Sequence, residues 1–391
     1  MKKKLQVKIG IIASKSGANA KAGRGMLDSA QYMIDRKAGW LEKKGIFLEL
    51  VVKDDSSLAS TAVEKAKELV AEDCLVIIGP TDSLAMREIL ESEVCSNIAV
   101  FSTISSATFL SNNGHKNFFR FTTPDSIRAE ILVRYVKRIY PGSLVYVAAQ
   151  EGHELSYGQQ LKKDVINSLE KYSVKWTHFD FNNDSEPKGM PSENEPTIAC
   201  GPSASVKELA KIYRDRGIRS QFFAFGSNTN LLDDVLINTI VVCDLDREDV
   251  NPIARDEIDH FQAIFRDTAD PDLSTMNAVV TFCNVLYENQ DSVLVPELPA
   301  RRYQLLNTLN SGVHKALLGS ISFSDTGEMA GYENISVLKV SKLKGKYYFS
   351  QIDREEKPLL QDSKWWKNNM VLAISIIGSI ASIGSLVYAF F

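Results

Sequence analysis

Hydrophobic and polar positions follow two different periods along most of the chain. Short apolar runs such as VKIGIIAS, GIFLELVVKDD and CLVIIGP predict buried strands. Between them lie segments whose apolar residues recur every three or four positions. One such segment is AGRGMLDSAQYMIDRKAG, which carries Met26, Ala30 and Met33 on one face of a predicted helix. Because strands and helices alternate repeatedly, the pattern predicts an α/β protein with parallel sheets flanked by helices.

The C-terminal segment has a different pattern. Residues 370–391 contain no charged residue, and as a helix they would span roughly 33 Å at ~1.5 Å per residue, about the thickness of a bilayer's hydrocarbon core. Aromatic residues and lysines flank the run, as is typical of membrane interfaces: Lys364, Trp365, Trp366, Lys367 and Tyr388. We therefore predict a juxtamembrane linker over 357–369 and a transmembrane helix over 370–391. The alternative is a buried core helix, but such a helix usually carries a polar face.

Small residues recur every fourth position in the predicted transmembrane helix, as in Ser375–Ser379 and Gly378–Ser382. This spacing lets two helices approach closely, so it favours a homo-oligomer. At the N-terminus, Lys2 to Lys4 precede LQVKIGIIAS, which Gln6 and Lys8 make too polar for a signal peptide. We therefore expect no export signal, a soluble domain in the cytoplasm, and a tail that inserts after synthesis.

Composition excludes several classes of function. The chain has 391 residues, a formal net charge of −4 and 44% hydrophobic residues, which suits two ordinary domains and argues against a nucleic-acid partner. Five cysteines are scattered without a CxxC pair, so we expect buried thiols and no zinc or redox motif. A Cys74–Cys95 disulfide stays open as an alternative if the domain is exported. The five histidines show no metal-binding spacing, and we expect no metal.

The motifs of common enzyme classes are missing. The chain has no GxxxxGK[ST] phosphate loop and no GxSxG nucleophile elbow. The first loop, ASKSGANAKAGRG, lies between a predicted strand and a helix, but Asp28 stands where a dinucleotide-binding loop would have its third glycine. We therefore expect no enzymatic activity and no cofactor.

Several motifs, taken in order, resemble the type I periplasmic binding proteins of the leucine/isoleucine/valine- and amide-binding family. The first strand and loop VKIGIIASKSG, the acidic strand end LVVKDDSS, the Gly-Pro turn VIIGPTDSLA and the loop VFSTISSATFLS resemble one lobe. The segments NFFRFTTPDSIRAE, SYGQQL and GSISFSDTGEMAG resemble the crossover, a second-lobe helix start and a late strand. The resemblance covers about Val7 to Ile352.

The resemblance implies a two-lobed Venus-flytrap fold whose lobes are joined by three crossovers. We expect the first lobe to comprise residues 5–123 with 249–322, and the second lobe 124–248 with 323–356. The ligand would lie in the cleft between the lobes, beyond the carboxyl ends of the strands, and closure would occur by hinge bending.

Site residues of the family carry over one at a time. In amino-acid binders, a serine after the Gly-Pro turn and two residues of the next loop hold the ligand carboxylate. Here Ser83 matches the first position, and Ser105 with Ser106 match the pair, while Thr108 is the alternative if the loop is shifted. Hydroxyls and free amides near helix N-termini suit an anion. Simple turn capping is the alternative role of these serines.

In the second lobe, Tyr157 matches the tyrosine of the Tyr-Gly turn, and Ser203 lies near the position of a missing aromatic residue. The acidic residue that pairs with a ligand ammonium is replaced in AFGSNTN by Gly226, Ser227 and Asn228. The resemblance with this departure implies a ligand without an amino group, such as an amide, a carboxylate or another small polar metabolite. Asn228 is the candidate contact at this position.

These observations leave three functional hypotheses. The first is a membrane-anchored, cytoplasmic sensor that binds a small polar or anionic metabolite and signals by hinge closure. The alternatives are the extracytoplasmic substrate-binding component of an amino-acid or amide ABC-type uptake system, and a scaffold with a degenerate ligand site.

Overall fold

The computed structural model describes residues 4–17, 19–111, 114–152, 154–182, 187–191, 195–226, 231–243, 250–266, 270–331 and 334–356. In these ranges the helices are α1 (Ala20–Glu42), α2 (Ala59–Ala71), α3 (Ser83–Glu91), α4 (Asp125–Ile139), α5 (Tyr157–Lys171), α6 (Ser203–Asp215), α7 (Pro252–Phe265), α8 (Leu273–Glu288), α9 (Gln290–Val293) and α10 (Leu298–Ser311).

The strands of the same ranges follow the predicted alternation with the helices. They are β1 (Leu5–Ile12), β2 (Ile46–Lys53), β3 (Val76–Ile78), β4 (Ala99–Ser102), β5 (Phe118–Arg120), β6 (Val145–Gln150), β7 (Trp176–Phe181), β8 (Thr197–Cys200), β9 (Phe222–Phe225), β10 (Ile240–Cys243), β11 (His314–Ala316), β12 (Gly319–Phe323), β13 (Met329–Ala330), β14 (Asn334–Leu343) and β15 (Lys346–Glu356).

Two large sheets carry the architecture. The first has the order β2-β1-β3-β4-β5 and is parallel throughout. The second has the order β15-β14-β10-β9-β8-β6-β7, in which β14 and β15 run antiparallel at one edge. A small antiparallel sheet of β11, β12 and β13 accompanies the first. The predicted α/β class with parallel sheets flanked by helices is confirmed.

Each large sheet is buried on both faces, which explains why its strands read as continuous apolar runs. One face of the first sheet packs on α1 and α8, through residues such as Ile9 and Met276, and the other packs on α2 and α3. The second sheet packs on α4 and α5 through Val147 and Leu161 and, on its other face, on α6 through Leu209. We call the two halves the first lobe and the second lobe.

The chain passes between the lobes more than once. Phe121 packs in the first lobe and Ile127 in the second, so the first passage is the segment FTTPDS. A later return lies between Cys243 and Ala254. The last passage comes after Met329, which belongs to the first lobe's core, and before Ile335, which belongs to the second. The sequence placed this passage after residue 322, whereas β12 and β13 keep the chain on the first lobe through the GSISFSDTGEMA segment.

The predicted transmembrane helix over 370–391 lies outside the described residues. Within the described ranges, no helix combines the length and the apolar character needed to cross a membrane. Contacts along the chain separate Met1–Lys357 from Pro358–Phe391 as two units. The tail therefore stays a prediction.

The five cysteines are free and buried, as expected from their apolar neighbours. Cys74 and Cys95 both belong to the first lobe's core, on the face of the sheet that packs on α2 and α3. The structure therefore contains neither the alternative disulfide nor an exposed thiol among them.

One turn allows a close approach between strands that only glycine permits. Gly327 has φ +78°, and a Cβ atom there would lie 2.0 Å from the Phe118 carbonyl oxygen. Its own carbonyl accepts a hydrogen bond from the Arg120 backbone N–H at 2.8 Å. Gly345 has a similar φ of +81° with no atom within 4 Å of the same position.

We predict that Gly327→Ala lowers the free energy of unfolding by about 2–5 kcal/mol, because backbone strain adds to a steric clash. Gly345→Ala carries the strain without the clash and should lower it by about 1–2 kcal/mol. Urea unfolding followed by circular dichroism measures both. Equal losses in the two variants would contradict the close approach at Gly327.

Candidate functional site

The loops at the carboxyl ends of β1 to β4 meet at one edge of the first sheet. Asp54 follows β2, and its carboxylate accepts hydrogen bonds from the backbone N–H groups of Lys15 at 2.9 Å and Ser56 at 2.8 Å. These bonds lower the pKa of Asp54. Asp55 accepts from the Ser14 hydroxyl at 2.6 Å, and Ser14 lies 2.9 Å from the Thr81 hydroxyl. The acidic end of β2 therefore fixes the neighbouring loops after β1 and β3.

The first loop of the chain, between β1 and α1, lets α1 pack closely at this edge of the sheet. A Cβ atom on Gly23, near the start of α1, would lie 2.0 Å from the Ser14 carbonyl oxygen. The glycine thus lets the helix sit directly against the end of β1. Close packing against β1 therefore explains why position 23 is a glycine, and no dinucleotide-binding motif is needed to explain it.

Ser83 is the first residue of α3, which starts immediately after the Gly-Pro turn. Gly79 has φ +90°, and a Cβ atom there would lie 2.3 Å from the Ile12 carbonyl oxygen. Asp82 caps the helix by accepting from the N–H groups of Leu84 and Ala85. This cap leaves the Ser83 side chain directed at the next loop, where its hydroxyl oxygen accepts from the Ala107 N–H at 3.3 Å.

The loop after β4 carries the other two predicted serines of the first lobe. The Ser105 hydroxyl donates to the Pro80 carbonyl at 3.0 Å and is only 1% exposed. The Ser102 hydroxyl donates to the Ser105 carbonyl at 2.9 Å. Ser106 is also buried, and its carbonyl accepts from the Asp125 N–H at 2.9 Å. The structure thus brings Ser83, Ser105 and Ser106 together, and the Ser105 hydroxyl already holds the loop to the Gly-Pro turn.

Thr108, the alternative position, makes a different contact. It opens a short 3-10 turn (Thr108–Leu110), and its hydroxyl donates to the Asp164 carboxylate of α5 at 2.8 Å. The same oxygen accepts from the Ser126 N–H of α4 at 2.9 Å. Thr108 therefore joins the first lobe to two helices of the second.

The second lobe offers two predicted residues at neighbouring helix starts. Tyr157 is the first residue of α5, after β6, and Ser203 is the first residue of α6, after β8. Because β6 and β8 are adjacent parallel strands, both residues lie at the same edge of the second sheet. Tyr157 is 37% exposed. Asn228, the remaining predicted residue, lies outside the described residues.

Behind the first lobe's loop lies a buried ion pair that the sequence patterns did not reveal. Arg120 ends β5 and is fully buried; its Nη1 donates to the carbonyls of Ser106 at 3.2 Å and Ala107 at 3.3 Å. Its Nε lies 3.5 Å from Glu328 Oε2. The other oxygen of Glu328 accepts from the Ser111 hydroxyl at 2.8 Å. One ion pair therefore holds both ends of the segment 106–111.

Burial and the neighbouring charges act on Arg120 in opposite directions. Burial lowers the pKa of Arg120, and the nearby carboxylates of Glu328 and Asp125 oppose that change. Its guanidinium also lies 5.4 Å from the centre of the Phe118 ring, a further favourable contact for a cation. The signal in the sequence was an arginine inside the otherwise apolar run NFFRF.

Comparisons with known proteins agree with this architecture. Residues 6–187 match a family model described as "Periplasmic binding protein". The leucine binding protein LivK of Thermotoga maritima has 16% sequence identity and a TM-score of 0.73, with 90% of this chain and 99% of that chain covered. The chain has the fold of the type I periplasmic binding proteins. No curated protein sequence matches it.

Two further binding proteins of this fold were solved with ligands. The LivJ substrate binding protein of Streptococcus pneumoniae, in complex with isoleucine, has 17% identity and a TM-score of 0.72, with 90% of this chain and 100% of that chain covered. A solute binding protein of Rhodopseudomonas palustris BisB5, in complex with 3,4-dihydroxy benzoic acid, has 14% identity and a TM-score of 0.71, with coverages of 91% and 98%. At these identities the likeness shows the fold alone.

Within this binding-protein fold, the described part of the candidate site is a set of hydroxyls and helix starts. Across the described ranges, no group of three or more His, Cys, Asp or Glu side chains is placed to hold a metal ion. The Ser14–Asp55 pair is buried and bonded to Thr81, which gives it a role in fixing the loops. The arrangement can orient hydrogen-bond donors toward a small ligand.

We predict that Glu328→Gln lowers the free energy of unfolding by about 3 kcal/mol, because it leaves the buried Arg120 charge uncompensated. Adding Arg120→Met to this variant should recover part of the loss, since the unpaired charge is then gone. Denaturant unfolding of the single and double variants gives the coupling.

The matched control for the buried pair is a solvent-exposed ion pair on α3. Arg87 and Glu91 form an i,i+4 pair at 2.7 Å on α3, with side chains 40% and 55% exposed. Glu91→Gln should therefore change stability by less than about 0.5 kcal/mol. A loss at Glu328 no larger than at Glu91 would contradict the importance of the buried pair.

Proposed function

We propose that the chain is a solute-binding protein that takes a small polar or anionic ligand between its lobes, as the substrate-binding component of an ABC-type uptake system. The observation that carries this proposal is the fixed first-lobe loop. Ser105 is bonded to the Gly-Pro turn, Arg120 holds the carbonyls of residues 106 and 107, and the start of α3 lies alongside. A loop held so firmly keeps its donors in place before a ligand arrives, which reduces the ordering entropy lost on binding.

The proposed ligand class follows from the residues that face the site. Ser83 and Ser106 supply hydroxyls at the start of α3, where the Asp82 carboxylate already accepts from the Leu84 and Ala85 N–H groups, so the hydroxyls are the donors that a ligand would meet there. Tyr157 and Ser203 supply an aromatic ring and a hydroxyl from the second lobe. AFGSNTN has no acidic residue to pair with an ammonium group. Amides and carboxylates therefore fit better than α-amino acids.

A thermal-unfolding panel tests ligand binding. The panel should contain isoleucine, 4-hydroxybenzoate, 3,4-dihydroxybenzoate, small dicarboxylates and aliphatic amides. A ligand at about a hundred times its dissociation constant should add ~2.7 kcal/mol to the free energy of unfolding. We predict a shift with an amide or carboxylate compound, and a smaller one or none with isoleucine.

Ser83→Leu and Ser106→Leu should abolish the shift, because each fills the proposed site with an apolar side chain. The control is Ser96→Leu, an exposed serine at the opposite edge of the first lobe, between α3 and β4. A shift that survives in both site variants would place the ligand elsewhere. The absence of any shift would favour the scaffold hypothesis.

The second candidate is a membrane-anchored sensor of the same ligand class, with its soluble domain in the cytoplasm. The observation that favours it is the uncharged run over 370–391 with its flanking tryptophans and lysines. In this case hinge closure would act on a membrane partner or on a second copy of the chain. The two candidates differ in the side of the membrane on which the domain lies.

Protease accessibility in sealed spheroplasts distinguishes them. The segment PKGMPSENEP over 187–196 is the intended cleavage site. For an uptake component we predict cleavage by external protease without lysis. Protection until the membrane is lysed would instead support the cytoplasmic sensor.

A further inference from the structure

The end of the second lobe at which β9 and β10 begin carries a concentration of positive charge. It is built from three segments: 214–221 from the end of α6 to β9, 233–239 before β10, and 339–348 around the turn between β14 and β15. These segments contain seven lysines and arginines and three aspartates, a net charge of +4, whereas the whole chain has a net charge of −4. We call these three segments the basic end.

Hydrogen bonds hold the three segments of the basic end side by side. The Gln221 side chain donates to the Asn238 carbonyl at 2.8 Å, and the Asn238 N–H donates to the Val340 carbonyl at 2.8 Å. The Lys342 ammonium donates to the Asp234 carboxylate, also at 2.8 Å. Because β9 and β10 run parallel to β6 and β8, the basic end lies opposite the edge of the sheet that carries the candidate ligand site.

A cavity of about 360 Å³ opens at the basic end. Its described lining residues include Arg214 and Arg219 but no acidic residue, and its apolar part includes Tyr213 and Phe222, whose ring centres lie 4.6 Å apart. Arg214 lies 3.8 Å from the exposed Asp215, whereas Arg219 has no ion-pair partner among the described residues. The basic end therefore presents positive charge beside apolar surface.

The turn between β14 and β15 exposes apolar and basic side chains together. Leu343 is 62% exposed and Tyr348 is 42% exposed. Lys344 and Lys346 are exposed as well, and neither has an ion-pair partner in the part of the chain that the structure describes. An exposed leucine between lysines is typical of a segment that meets a membrane interface, where lysines contact the headgroups and apolar side chains enter below them.

We propose that the basic end of the second lobe docks on an anionic phospholipid surface. Lys344, Lys346 and Arg219 lie against the lipid phosphates in this arrangement, and Leu343 enters the interfacial layer. The exposed Leu343 and the uncharged run over 370–391 in the same chain favour a membrane over a nucleic acid as the partner. This inference goes beyond the proposed function and does not depend on any ligand in the cleft.

The strength of docking follows from the cations that have no partner within the protein. Each lysine or arginine near an anionic bilayer surface strengthens binding by about fivefold. Lys344, Lys346 and Arg219 together should therefore strengthen it by about a hundredfold. Salt screens this attraction, with a Debye length of ~8 Å at physiological ionic strength, so docking should weaken as salt is added.

The test follows the turn between β14 and β15 in the full chain with a fluorescent label. The five native cysteines are buried, so a Leu343→Cys variant can be labelled selectively with the environment-sensitive dye NBD, whose ring replaces the leucine side chain. Vesicles of phosphatidylcholine are added with and without phosphatidylglycerol. We expect a blue shift and a rise of NBD emission only with phosphatidylglycerol, both reversed by high salt. The label reports on this turn whether or not the run over 370–391 is inserted.

A triple variant of the labelled chain removes the three cations. Lys344→Gln/Lys346→Gln/Arg219→Gln should lower the docking constant obtained from the NBD signal by about a hundredfold. Lys344→Arg/Lys346→Arg keeps the charges and should preserve docking.

Two controls separate docking from general effects. Arg24→Gln/Lys43→Gln/Lys67→Gln removes the same charge from exposed positions of the first lobe and should leave the NBD response unchanged. NBD on a Ser96→Cys variant, at an exposed position of the first lobe, should respond to neither kind of vesicle.

NBD emission that does not change with phosphatidylglycerol, or a triple variant that responds like its control, would overturn the docking proposal. An equal response to neutral vesicles would overturn it too, because charge would then play no part. A response to duplex DNA without a response to vesicles would assign the surface to nucleic acid instead. Ser83→Leu and Ser106→Leu should leave the NBD response unchanged, so a failure of docking is observed separately from a failure of the proposed function.

Discussion

The buried ion pair between Arg120 and Glu328 is the constraint on which the site depends. A fully buried guanidinium is expensive to place in a protein interior, and the structure compensates it in part with a carboxylate, two loop carbonyls and an aromatic ring. Each of these partners is thereby held in place. Among the described residues, Nε and Nη2 of Arg120 have no hydrogen-bond partner. Because Arg120 ends the last strand before the first passage between lobes and Glu328 directly precedes β13, the same pair also ties together the chain at the first and last passages.

The loop held by this pair contacts both the candidate site and the second lobe. On one side its Ser106 lies beside Ser83, the first residue of α3, where a ligand would be held in the proposed function. On the other side Thr108 reaches the second lobe and meets Asp164. A short, well-anchored segment thus joins the candidate site of the first lobe to the second lobe. A loop with freedom of its own would absorb the motion of one lobe and transmit little of it to the other.

The sequence predicted the alternation of strands and helices because buried parallel strands and amphipathic helices have distinct periods. It also placed Ser83 near a helix N-terminus and Tyr157 at a helix start, since turn and helix signals are local, whereas Ser203 proved to be the first residue of α6. It did not reveal the partners of Arg120 or Asp164, because Glu328 is 208 positions from Arg120 and Thr108 is 56 positions from Asp164 along the chain. Such contacts depend on the packing of lobes and crossovers. The role of Ser105 was missed for the same reason: its hydroxyl is used by the Pro80 carbonyl of another loop.

The burial of the five cysteines has a consequence for where the protein can work. Burial raises the pKa of the thiols of Cys74, Cys95, Cys200 and Cys283, so each stays in the protonated form that reacts slowly with oxidants and disulfides. Burial in the fold protects these thiols from oxidation, so they depend neither on reduction by glutathione nor on pairing in a disulfide. The folded chain would therefore keep its thiols equally well in an oxidising or a reducing compartment, which makes the architecture suitable for either side of a membrane.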